Sequence, residues 1–240
     1  MIGVMKKFKT ASPAVKASMA LLFANLILKG LSLISGPIFT RIMPTDQYGI
    51  VSTFQSWQSL LAVIVTLNLS QGVFNNGMLE FKENRDQFEF ALVVITVVCT
   101  GLFLLIFEIF KTSLLNMFEM PLVMVYIMAL YFLFVPAYQF WSGRQRYEYK
   151  YKALSIVTVC IGLFSLLLGV LFVLNVSSGK EAIARVYAME GVNIAVGIFF
   201  FVIIAVKAKF KLRIEYCIYA LKFNIPLIPH YMSMYILASS

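Results

Sequence analysis

Asn25, Lys29, Ser32 and Gly36 fall at i, i+4, i+7 and i+11, a spacing that places them on one face of a helix. They lie within the apolar run 17–42. A lysine inside such a run costs about 2.5–3.5 kcal/mol on membrane-insertion scales, so it is expected to face protein or a wet cavity. The chemistry open to this stripe is recognition: an ammonium beside an amide and a hydroxyl can hold an anion that also carries hydrogen-bonding groups. The plainer alternative is structural, with Lys29 snorkelling or pairing with a carboxylate such as Glu190.

Two other stretches carry polar groups among apolar neighbours. The run 48–73 holds Ser52, Gln55, Ser56, Gln58 and Ser59, then Asn68 and Gln71 near its end. It reads either as a wet wall opposite the first helix or as hydrogen-bonding glue between helices. The run 184–206 opens with Arg185, Tyr187, Glu190 and Asn193. Arg185 reads as interfacial. Glu190 lies one to two turns deeper, where it either titrates and holds a cation or is solvated. Glu108 and Glu119 sit at helix ends and read as solvated; His230, after Pro229, reads as a packing or interfacial residue.

No phosphate-binding GxxxxGK[ST] loop, HExxH, GxSxG or paired metal-ligand pattern is present. No cofactor and no enzymatic activity are therefore expected, and any transport would draw on an ion or substrate gradient. Cys99, Cys160 and Cys217 form no CxxC and read as small packing residues.

The elements that would position these residues follow from composition. Of 240 residues, 61% are hydrophobic and 13% charged, and mean hydropathy is +0.87. That excludes an ordinary soluble domain and predicts an all-α membrane protein. The net charge of +9 is spread in short clusters between apolar runs, which argues against a nucleic-acid partner. A span needs about 20 apolar residues. Six complete spans are predicted, at 17–42, 48–73, 88–110, 121–141, 153–176 and 184–206, and a seventh starts near Pro226. The first is long and is expected to tilt or break near Gly36-Pro37. Aromatic residues at the end of the fourth, such as Tyr138 and Trp141, fit an interfacial belt.

Placing residues 1–16 in the cytoplasm puts fifteen Lys and Arg on the inner segments and four, Arg41, Lys111, Lys180 and Arg185, on the outer ones. That asymmetry sets the expected orientation, N-terminus inside. A cleaved signal peptide is not expected, because no small-x-small site follows the first apolar run. The organisation expected is a basic N-terminus at 1–16, a six-helix region at 17–206, a basic linker at 207–225 and the opening of a second unit at 226–240. The stretch 207–221 alternates bases with Phe210, Leu212, Ile214, Tyr216, Ile218 and Tyr219. It is either an amphipathic segment on the inner leaflet or a plain basic loop leading into a helix. The last apolar run stops at Ser240 without a polar tail, so a fragment of a longer protein is expected.

Four stretches in order carry a family resemblance. They are GPIFTRIMP at 36–44 followed by Asp46-Gln47-Tyr48-Gly49, QGVFNNG at 71–77, WSGRQRYEYKYK at 141–152, and LKFNIPLIPH at 221–230. Across essentially its whole length the chain resembles the N-terminal half of a Wzx-type polysaccharide flippase. That family belongs to the multidrug/oligosaccharidyl-lipid/polysaccharide exporter superfamily. The resemblance implies two lobes of helices around a central cavity, with six helices here forming the first lobe. It implies movement of undecaprenyl-pyrophosphate-linked oligosaccharide across the bacterial inner membrane for O-antigen, capsule or exopolysaccharide synthesis. It also implies membrane lipids and other polysaccharide-assembly proteins as partners. On this reading Lys29, Asn25, Ser32, Gln55 and Gln58 meet the headgroup, Arg41 guides release at the outer rim, and Glu190 couples the cycle to protons or sodium. Drug exporters of the superfamily use buried carboxylates, whereas the first helix here offers a lysine, which favours an anionic lipid. A multidrug or lipid II exporter, a membrane polymerase or acyltransferase, and a structural anchor are the alternatives.

Overall fold

The computed structural model describes residues 13–239. Every regular element among them is helical. The first helix, α1, runs from Pro13 to Ile42, straight through Pro37. A proline inside a helix removes one N–H donor. No break occurs near Gly36-Pro37, and one turn on, the Thr40 hydroxyl donates to the Gly36 and Pro37 carbonyls at 3.1 and 3.2 Å.

Pro44 precedes α2 (Thr45–Val65), which carries Asp46 in its first turn. An acid there complements the helix dipole. α2 stops well short of Val73. The Thr66 hydroxyl donates back to the Ala62 carbonyl at 2.7 Å, and Leu67 and Asn68 then turn left-handed at φ 51° and 49°. Asn68 and Gln71, expected on the second helix, therefore lie on a turn that leads into the short α3 (Gly72–Glu80).

The remaining helices are α4 (Arg85–Ile109), α5 (Lys111–Phe118), α6 (Leu122–Tyr147), α7 (Tyr151–Asn175), α8 (Glu181–Lys207), α9 (Ile214–Asn224) and α10 (Ile228–Ser239). A 3-10 turn, Ile225–Leu227, joins the last two. Among the described residues five helices are long and apolar enough to cross a membrane: α4, α6, α7, α8, and α1 from Ser18. α2 has the length, at 21 residues, but its serines and glutamines keep it outside that set. α10 is too short at 12 residues. The expected second span and the start of the seventh thus fall on α2 and α10, neither of which is among these five helices.

α8 is the hub, packed against α6 on one side and α7 on the other. Gly197 makes the α6 contact close: a Cβ there would lie 2.7 Å from the Phe134 carbonyl. α1 packs mainly along α7 and touches α2 near its end, with only 6% of its apolar window buried. Two apolar clusters hold the bundle. One lies at the end rich in basic residues and includes Phe74, Phe88, Phe140 and Phe200; the other includes Phe39, Phe54, Phe107 and Phe132. Trp141 is half-buried. It stacks on Phe200 at 4.0 Å, next to Tyr138, inside the first cluster.

The 207–221 stretch resolves into a turn and a helix. α9 buries Tyr216, Cys217, Ala220 and Asn224 against α3 and α4, and leaves Ile214 and Ile218 exposed. A helix with one packed face and one exposed apolar ridge flanked by lysines has the character of an interfacial element.

Candidate binding site within the helical bundle

Three helices bring polar groups together in the half of the bundle farther from the basic end. Ser32, Ser35 and Gly36 of α1, Ser52 and Gln55 of α2, and Arg185 of α8 line a cavity of about 170 Å³. Phe39, Met43, Tyr48 and Val51 form its apolar wall. The i, i+3, i+4 spacing that groups Ser32, Ser35 and Gly36 is helical, so one face of α1 supplies all three.

Arg185, half-buried, is the charge of this cavity. Its Nη1 donates to the Ser165 carbonyl of α7 at 3.1 Å, and its guanidinium lies 3.8 Å over the Phe39 ring. Gly169 makes room for it, since a Cβ at that position would stand 2.3 Å from Nη1. No carboxylate lies within ion-pair distance of Arg185 among the described residues. The guanidinium keeps donors to spare for a ligand.

Glu190 lies one turn further along α8 and is 2% exposed, so the solvated alternative does not hold. Asn193 donates to it at 3.0 Å through Nδ2, and the Gln58 side chain of α2 faces it. Gln58 is itself buried, and its Nε2 finds no partner of good geometry. Gln55, on the exposed side of α2, reaches Met189 Sδ at 3.4 Å. The two glutamines therefore do different things: Gln55 lines the open cavity, and Gln58 addresses a buried carboxylate. Along α8, Glu190 and Asn193 fall between the residues of the two apolar clusters. A buried carboxylate beside an amide lacking a partner is a group able to take up a proton or a small cation.

The stripe on α1 divides. Ser32 and Gly36 reach the cavity; Lys29 and Asn25 lie beyond its lining and are exposed. Lys29 makes no ion pair among the described residues, so the pairing with Glu190 does not form. Its side chain is exposed. Arg41 is exposed near the end of α1 and does not line the cavity. Glu108 is exposed as expected, accepting from Lys111 at 3.1 Å and from the Tyr126 hydroxyl at 2.6 Å.

At the basic end a separate charge cluster joins α4 to α6. Arg144 contacts Asp86, Glu89 at 3.2 Å and Glu148 at 2.8 Å, while Lys150 contacts Glu148 at 2.6 Å. Glu89 is 3% exposed, and its Oε1 has no partner. Burial pushes the Glu148 carboxyl up, but the hydrogen bonds from Arg144 and Lys150 overcome this and hold it below its ordinary range. The sequence pattern could have suggested the local Arg144–Glu148 pair from its i, i+4 spacing. Nothing in the pattern announces Glu89, which packing alone brings to Arg144.

No family model, curated protein or solved structure matches this chain. Fold and site together define an all-helical protein with five helices suited to a membrane and a cationic, acid-free cavity among them.

Proposed function

We propose that the protein is one lobe of an exporter that moves an anionic, lipid-linked oligosaccharide across the bacterial inner membrane. The observation that carries this reading is the cavity among α1, α2 and α8. It offers one guanidinium, three serines and a glutamine, and no carboxylate among its lining residues. A cation with unused donors in a membrane-embedded site attracts phosphate, and the hydroxyls and amide suit a sugar. Lys29, exposed and one turn of α1 away, extends the positive surface toward the basic end.

In this reading α1, α2 and α10 complete the set of six spans and the start of a seventh, with the N-terminus cytoplasmic. The headgroup meets Lys29, Asn25, Ser32 and Gln55, the prenyl chain stays in lipid, and two lobes rock about the site. Arg185 takes the deeper phosphate contact, Arg41 assists release, and Glu190 with Gln58 supplies the proton- or sodium-sensitive group.

The test is complementation of a flippase-deficient strain by wild type and Lys29→Ala at matched membrane abundance. The variant is expected to lose surface polysaccharide by about tenfold, the loss of one charge-assisted contact. Full complementation by Lys29→Ala would remove the proposed role of the α1 stripe.

A further inference from the structure

A larger cavity, of about 540 Å³, opens at the basic end, separate from the one around Arg185. Its volume is within the range of small-molecule sites, roughly 300–1,000 Å³. Asn68, Gln71, Asn75 and Gln139 line it with side-chain amides, and Arg146 supplies a guanidinium. Tyr138 and Tyr147 add aromatic walls, and no carboxylate is among the lining residues.

The chemistry of that lining is selective. An amide offers a donor and an acceptor side by side, the match for neighbouring hydroxyls that each donate and accept. A single guanidinium without an acid in the same cavity favours an anion. Arg146 is the cation left available there. Its neighbour Arg144 is saturated by Asp86, Glu89 and Glu148, and Lys150 by Glu148, whereas Arg146 makes no ion pair among the described residues.

The walls are held in place from behind. Arg85 donates to the Tyr147 hydroxyl at 3.2 Å, lies 4.7 Å over its ring and also donates to the Met78 carbonyl. The Tyr138 hydroxyl pairs with that of Thr158 at 3.0 Å. The turn bearing Asn68 is strained, with two successive non-glycine residues at positive φ, one of them the bulky Leu67. Asn224 of α9, fully buried, donates to the Leu67 carbonyl and pins that turn. Strain of this kind persists where surrounding contacts enforce it, and it clusters at ligand sites.

We infer that this second cavity binds a sugar bearing phosphate or pyrophosphate, with Arg146 holding the anion and Gln71, Asn75 and Gln139 reading the hydroxyls. The inference rests on the exporter reading only for its place in a transport cycle: with the basic end cytoplasmic, this is where a headgroup is first captured. The binding chemistry stands by itself.

The experiment is calorimetric titration of the protein in lipid nanodiscs. The probes are N-acetylglucosamine 1-phosphate, farnesyl-pyrophosphate-linked N-acetylglucosamine, farnesyl pyrophosphate and inorganic phosphate. Each sugar-bearing probe is expected to bind about tenfold tighter than its sugar-free counterpart, the worth of one or two extra hydrogen bonds. Arg146→Ala is expected to weaken both sugar-bearing probes about tenfold, and Gln71→Ala with Asn75→Ala to erase the preference for sugar. All three positions are exposed, so the variants are expected to fold, which thermal unfolding checks. A stronger response to the farnesyl-linked sugar assigns the ligand to a lipid headgroup, and an equal response assigns it to a free sugar phosphate; both support the site. Binding that ignores the sugar, or that is untouched by Arg146→Ala, would overturn it. Binding as described without glycolipid movement in proteoliposomes would retain the site and remove the exporter reading. Movement without such binding would do the reverse.

Discussion

Arg185→Met separates a structural from a functional role for the buried guanidinium. A charge at membrane depth costs about 2.5–3.5 kcal/mol. Against this, the hydrogen bond to the Ser165 carbonyl recovers about 1.5–3 kcal/mol. The stacking on Phe39 adds about 0.5–2 kcal/mol. At their midpoints these terms cancel to within about 1 kcal/mol, so Arg185 is expected to contribute little net stability. Methionine fills similar space without a charge, and the stability of Arg185→Met is expected to stay within about 1 kcal/mol of wild type. Transport of lipid-linked glycan is expected to fall about tenfold or more, because the cavity loses its charge-assisted donor. Thermal unfolding in detergent reads the first quantity and proteoliposome flipping the second. A variant destabilised by more than about 3 kcal/mol would show that Arg185 holds the fold together, since the cancelling terms could not give that loss. Unchanged flipping would show that the cavity is not on the substrate route.

Four further outcomes follow from the packing, the charge clusters and a buried thiol. Gly197→Ala presses a Cβ to 2.7 Å from the Phe134 backbone, which cannot yield as a side chain would. It is expected to cost about 1–3 kcal/mol, read as a thermal midpoint several degrees lower. Arg144→Ala leaves the Glu89 carboxylate buried without its cation and is expected to cost about 2–4 kcal/mol, less in an Arg144→Ala, Glu89→Gln double variant; additive losses would refute the coupling. The Glu148 carboxyl is held below its usual range, so its contribution to stability is fully present above the ordinary carboxylate pKa of about 4.3 and is lost as pH falls below it. Glu148→Gln is therefore expected to flatten the fall in unfolding temperature below about pH 4 and to leave its slope between pH 5 and 8 unchanged. Cys217 is buried against Ala91, and burial pushes its thiol up. Labelling by a polar maleimide at neutral pH, followed by mass spectrometry, is expected to modify Cys217 only after denaturation.

Much of the architecture is legible in the chain. The apolar runs at 88–110, 121–141, 153–176 and 184–206 became α4, α6, α7 and α8, each extended by a few residues at one end or both. Periodicity suffices there because a membrane-length helix satisfies its own backbone. The second run was harder. Its polar residues read as one long span, and only the turn at Leu67 and Asn68 shows where α2 stops. α5 and α3 are short amphipathic helices whose signal is too brief to separate from a loop.

The site was legible in type and less so in place. The stripe on α1 and the glutamines of α2 marked the right helices, and two of the four stripe positions, Ser32 and Gly36, reach the cavity. The cavity role of Arg185 has no sequence signal: its stacking on Phe39 depends on Gly169, a contact between α1, α7 and α8. Arg146 and the amides of the second cavity come from two stretches, 68–75 and 139–146, far apart in the chain, which only packing brings together.

The sequence by itself determined that the chain builds apolar helices with basic residues gathered near their ends, because hydropathy, length and charge placement are local properties. Which polar groups share a cavity, which carboxylate meets Arg144 and which arginine keeps its charge free were decided only in the tertiary structure. Those outcomes depend on how helices far apart in the chain approach one another, and small residues such as Gly197 and Gly169 set that approach.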